Sequence, residues 1–163
     1  MNRPPAAPTP ADQQRLALLI EAEAIQLGEF VALLEREEAL LTSGDTDALL
    51  ALTQDKNERY RRLQRLSDDR ALLLGRLGRV SSDATLRELL ADLPRVLARW
   101  DEVIGLARQA SERNAINGKL ILERMAHNQA ALSVLLAAAD QPPLYDAEGH
   151  TRAVGGGRML GSA

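Results

Sequence analysis

Apolar residues recur at spacings of three and four along most of this chain, the period of a helix with one buried stripe. The first run is Leu16, Ile20, Ala24, Leu27, Val31, Leu34 and Leu41. Ahead of it Thr9 can cap the chain, Pro10 suits the first helical position, and Asp12 stands where a capping-box acid belongs. The spacing predicts a helix over 10–43, its stripe interrupted near the end by Glu38. Ser43-Gly44-Asp45 then supplies a glycine stop and a capping acid for the next helix. So short a loop lays the two helices antiparallel.

The second helix, predicted over 45–78, carries Leu49, Leu52, Leu63, Leu66, Leu73, Leu74 and Leu77, with Lys56, Arg59 and Arg70 charging the middle of its seam. Gly78 and Ser81-Ser82-Asp83 mark a corner, and a short helix follows over 83–93 with Leu86, Leu89, Leu90 and Leu93. Pro94 either kinks the chain or opens a new helix at its first turn. The last helix, over 94–139, reads Leu97, Trp100, Ile104, Ala107, Ser111, Asn114, Gly118, Ile121, Met125, Asn128, Leu132 and Leu135 as its stripe. Pro142-Pro143 is a firm stop. The expected fold is all-α: an elongated antiparallel helical bundle of three long helices with a short corner helix, spanning 10–140. Disordered ends are expected at 1–9 and, as a flexible C-terminal tail, at 141–163.

Composition narrows what such a bundle can do. Phe30, Tyr60, Trp100 and Tyr145 are the only aromatics, so narrow seams of Leu and Ala replace a thick core. Twenty basic and 23 acidic residues are mixed along the chain, for a net charge of −3. That balance argues against nucleic acid as the main partner, which needs concentrated positive charge. The most apolar stretch, 130–139, is too short for membrane insertion. No cysteine and no signal-peptide pattern make the cytoplasm the expected compartment.

Catalytic chemistry finds little material. His127 and His150 are the only histidines and fall on different elements, so neither a metal site nor a nucleophile triad is expected. No cofactor is expected, and the chain reads as a binding protein, not an enzyme. Glu37-Glu38 and Asp68-Asp69 read as solvated helical faces. The basic run Lys56, Arg59, Arg61, Arg62 and Arg65 reads the same way, with a docking surface for an acidic partner as the alternative.

Two features ask for more. Asn114-Ala115-Ile116-Asn117-Gly118 puts a glycine inside a helix, at a cost of about 1 kcal/mol relative to Ala. It either ends the helix in an Asn-Gly turn or lets a neighbouring backbone come close, with Asn114 then lying in the seam to fix register. The other feature is 130–139, where Leu132, Val134, Leu135 and Leu136 cannot all face one seam. Ordinary burial at the bundle end is one reading. The other is a surface that closes, with the tail, over a partner's amphipathic segment.

The sequence resembles the FlgN family, the flagellar type III export chaperones of hook–filament junction proteins. The residues that carry the resemblance are Leu49-Leu50-Ala51-Leu52-Thr53 with Lys56, Asn114 with Asn117-Gly118 and Ile121, and Leu144-Tyr145-Asp146 with Gly149. The small closing residues Gly161-Ser162-Ala163 add to it. The resemblance implies a cytoplasmic chaperone without ATPase activity that binds the junction proteins, keeps them unassembled and delivers them to the export gate. It implies substrate binding through the C-terminal part, on Ile121, Met125, Leu132, Leu135 and Leu136. It also makes Asn114, Asn117 and Gly118 a family motif, and implies contact with the export gate for Leu144 and Tyr145. The competing expectation is a structural helical-bundle or coiled-coil adaptor that pairs through its long seams and does not depend on its tail.

Overall fold

The computed structural model describes residues 7–140. It contains α1 (Pro10–Ser43), α2 (Thr46–Arg76), α3 (Asp83–Leu89) and α4 (Pro94–Ala139), and no strand among the described residues. Three long helices and one short one match the all-α expectation.

Local chemistry sets the helix ends. The Thr9 hydroxyl accepts from the Asp12 N–H at 3.2 Å, and the Asp12 carboxylate accepts from the Thr9 N–H at 2.9 Å, closing a capping box. At the other end Gly44 adopts φ 84°, and its N–H reaches the Leu40 carbonyl at 2.9 Å. Asp45 then accepts from the Ala48 N–H at 3.0 Å and starts α2. A Cβ at a left-handed position is strained. Gly44→Ala is therefore expected to lower unfolding free energy by about 1 kcal/mol in urea titration. An unchanged midpoint would contradict the turn.

The corner helix is shorter than its leucines suggest. α3 stops at Leu89, and Leu90–Asp92 form a turn closed by the Leu93 N–H on the Leu90 carbonyl at 2.8 Å. Pro94 disfavours helical backbone at the residue before it, so Leu93 leaves the helix and Pro94 opens α4.

The chain falls into two compact units, Met1–Leu122 and Glu123–Ala163. In the first, Leu16, Ile20 and Ala24 of α1 pack with Leu73 and Leu74 of α2, Leu86, Leu90, and Trp100 and Val103 of α4. A second cluster joins Phe30, Val31 and Leu34 to Ala110, flanked by Leu63 and Leu106. Helix α1 thus supplies the centre of both.

The charges in the α2 seam are matched by acids on α1. Arg70 Nε reaches Glu23 at 3.0 Å, Lys56 Nζ reaches Glu37 at 2.9 Å, and Arg59 pairs with Glu29. These pairs run in opposite directions along the two helices, as an antiparallel hairpin requires. Helix α4 runs parallel to α1 instead, with Arg99 on Glu21 and Arg113 on Glu35 and Glu38. The interruption in the α1 stripe is accordingly Glu37, while Glu38 meets Arg113 at the edge. The Glu37-Glu38 pair is not the solvated face expected, because its first member is buried beneath Lys56. Burial pushes the Glu23 carboxyl above its usual range, against the opposing pull of Arg70.

Candidate functional site

The packed face of α4 differs from the expected stripe. Trp100, Val103, Ala110 and Asn117 are its buried residues, with Leu106 and Leu120 half-buried. From Val103 onward the packed row lies one position before Ile104, Ala107, Ser111, Asn114, Gly118 and Ile121. One residue is a rotation of ~100° about the helix, so most of the residues expected in the seam sit beside it. The large side chains Ile104, Ile121 and Met125 suggested one phase. The structure follows small Ala110 and polar Asn117, which leave room for Phe30 and Leu34 of α1.

The buried amide is therefore Asn117, not Asn114, which is exposed. Asn117 Nδ2 donates to the Leu34 carbonyl at 2.9 Å and to Glu37 Oε2 at 2.8 Å. Both Glu37 oxygens also accept from Lys56 Nζ, at 3.1 and 2.9 Å. One residue from each long helix thus meets in a single polar node. Nothing in the sequence announced Glu37 and Lys56 as partners, since their pairing depends on the hairpin register. Gly118 fits neither expectation: the helix runs through it, and a Cβ there would meet nothing within 4 Å. The structure gives no packing reason for this glycine.

Of the residues expected to bind a partner, Ile121 lies in the first unit and is 39% exposed. Met125, Leu132, Leu135 and Leu136 lie in the second, on the last turns of α4, at 61%, 56%, 67% and 58% exposure. At helical spacing Met125, Leu132 and Leu136 share one face, Leu135 flanks it, and Val134 points the other way. From Met125 to Ala139 there is no Asp, Glu, Lys or Arg, so this helical segment presents apolar groups to solvent without charges between them. Leu144 and Tyr145 lie outside the described residues.

Two α4 residues, Ser111 and Asn114, do have a setting of their own. With Tyr60 and Leu63 of α2 and Leu27 and Phe30 of α1 they line an open cleft of ≈ 460 Å³. Helix α1 forms its floor; α2 and α4 form its walls. Among the described residues no group of His, Cys, Asp and Glu could hold a metal ion, and no helix is long and apolar enough to cross a membrane.

Residues 12–153 match the family model described as FlgN protein. The flagella synthesis protein FlgN of Yersinia enterocolitica is 26% identical over 153 residues, covering 88% of this chain and 97% of the relative. No solved structure matches the chain. The family match begins two residues into α1, runs through all four helices and includes the Asn114–Ile121 and Leu144–Gly149 segments. With so much of its length matched, this chain belongs to the FlgN family.

Proposed function

We propose that this chain is a cytoplasmic export chaperone that binds hook–filament junction proteins of the bacterial flagellum. It keeps them from assembling early and hands them to the type III export gate, through binding and without catalysis. The observation that carries the reading is the exposed apolar face of Met125, Leu132, Leu135 and Leu136 on the last turns of α4, where residues 125–139 include no Asp, Glu, Lys or Arg. Exposed apolar area of this kind marks interaction sites. A helix face with anchors at i, i+3 and i+4 spacing suits an amphipathic client helix. Family membership and the printed name of the Yersinia relative support the flagellar setting. Leu144 and Tyr145 are proposed to contact the export gate.

Burying roughly 600 Å² of apolar surface contributes about 15 kcal/mol gross at 25 cal/mol/Å². Ordering and lost translational freedom offset most of it. Binding between micromolar and nanomolar follows, tight enough to block self-assembly and loose enough for release.

A pull-down separates the outcomes. The full chain is expected to capture a hook–filament junction protein, and a version ending at Leu122 is expected to lose it. If the full chain captures neither junction protein, the chaperone reading fails. Equal capture by both versions would move the binding surface into the first unit.

A further inference from the structure

Glu23 of α1 lies in the core of the first unit, with its side chain 4% exposed. Both of its oxygens accept from Arg70 Nε, at 3.0 and 3.1 Å. The same guanidinium has three further contacts. Its Nη1 donates to Ser81 Oγ at 2.7 Å, its Nη2 reaches Ser67 Oγ more loosely at 3.5 Å, and it lies 4.9 Å from the centroid of the Trp100 ring. Ser81 belongs to the connector 77–82 between α2 and α3. One arginine thus ties the connector and α4 to α2, and one buried carboxylate neutralises it.

The other charged groups on the neighbouring elements are engaged with one another. Arg99 of α4 pairs with Glu21 and Glu102, Arg87 of α3 with Asp83 and Asp101, and Arg79 of the connector with Glu88. Among the described residues Arg70 is therefore the cation bonded to Glu23, and Glu23 the anion bonded to Arg70.

Burial holds the Glu23 carboxyl above its ordinary 4.5 in spite of Arg70. A carboxyl raised on folding contributes stability that is fully present below the ordinary value and is lost as pH rises through the raised one. Taking up the proton therefore does not break the core through Glu23. What the proton leaves unmatched is Arg70, a largely shielded cation with two hydroxyls and a ring for company. Its side chain is 13% exposed, so the long stem gives the charged head a way to water. Asp83 behaves in the opposite sense, because Trp100 and Arg87 hold it below its ordinary 3.8. The Trp100–Asp83 bond accordingly outlasts the first proton.

We propose that Glu23 and Arg70 form a proton-operated latch on the corner between α2 and α3. When Glu23 takes up a proton, the guanidinium leaves Ser81 and the Trp100 ring and turns to solvent. The connector 77–82 is freed while Leu74, Leu86 and Leu90 stay packed. The latch makes the corner answer to pH without unfolding the helices.

Trp100 is the only tryptophan, so its emission reads the latch in the full chain. The emission is expected to move to longer wavelength in a step centred above pH 4.5, with far-ultraviolet circular dichroism unchanged across it. Glu23→Gln carries no charge at any pH, so it should show the acid emission already at pH 7 and lose the step. In that variant the Arg79 amide, which donates to the Leu74 carbonyl at 3.0 Å, should exchange its hydrogen at least about tenfold faster than in the unaltered chain at the same pH. Glu21→Gln and Asp83→Asn should leave the step in place. Carbon-detected NMR titration of the Glu23 carboxyl needs no variant and should give a midpoint above 4.5. A midpoint at or below 4.5, a step that persists in Glu23→Gln, an unchanged Arg79 amide, or loss of helicity within the same step would overturn the proposal.

Discussion

Replacing Trp100 with Ala is expected to lower the free energy of unfolding by about 4 kcal/mol. The indole is 4% exposed and packs in the larger cluster with Leu16, Ile20, Leu74, Leu86 and Leu90. Truncation leaves a cavity that leucines fixed on four separate segments cannot close. It also removes two polar contacts. The Arg70 guanidinium lies 4.9 Å from the ring centroid, and Trp100 Nε1 donates to Asp83 at 2.8 Å. The second bond ties the first residue of α3 to α4. Together with Arg87 it holds the Asp83 carboxyl below its ordinary 3.8. A depressed carboxyl stabilises the fold above that ordinary value, and the contribution is lost as pH falls through the folded one. Trp100→Phe keeps most of the packing and loses the bond, so its cost should be clearly smaller, near 1–2 kcal/mol. Equilibrium urea unfolding measures both; a loss below about 1 kcal/mol for Trp100→Ala would contradict the assignment of this ring to the core.

The second large effect is expected at the polar node. Glu37→Ala should cost about 3 kcal/mol, because it strands the Lys56 ammonium and one Asn117 N–H together. Both charged side chains are mostly shielded, at 21% and 6% exposure, so solvent screens little of the loss. Replacing Glu37, Lys56 and Asn117 all by Leu should recover most of it, since no buried polar group is then left unmatched. The node's value lies in register: Asn117 and Lys56 can satisfy Glu37 together only when α1, α2 and α4 are aligned as they are. The triple variant is therefore expected to keep stability while broadening the amide resonances of α4 in NMR spectra. A Glu37→Ala loss within 0.5 kcal/mol, about the size of ordinary surface substitutions, would show the node to be solvated.

What the sequence made legible follows from how local each signal is. Thr9 with Asp12, Gly44 with Asp45, and Pro94 act on backbone groups within one turn of themselves, and they placed the ends of α1, α2 and α4 closely. The end of α3 was missed because Leu90 and Leu93 keep helical spacing, while the backbone answers to Pro94. The phase of α4 was missed for a different reason. Helical spacing shows that a stripe exists, but the neighbouring helix decides which of two adjacent rows is packed. Here α1 brings Phe30, Leu34 and Glu37 against small and polar residues, not against Ile104 or Ile121. Glu37, Lys56 and Asn117 are far apart in sequence, and each alone looks like an ordinary surface residue. The family, by contrast, was legible from short motifs, even though Asn114, expected in the seam, lines the cleft and Asn117 is the buried amide.

The central claim is that the charge-free end of α4 holds a junction protein. It is tested most directly by calorimetric titration of a hook–filament junction protein into the full chain and into its Leu132→Asp, Leu135→Asp variant. The unaltered chain is expected to bind at micromolar affinity or better, and the variant at least about 100-fold more weakly, as loss of two apolar anchors implies. Its circular dichroism should be nearly unchanged, because both side chains are exposed already. A variant that stays folded and binds the junction protein as tightly as the unaltered chain would contradict the account.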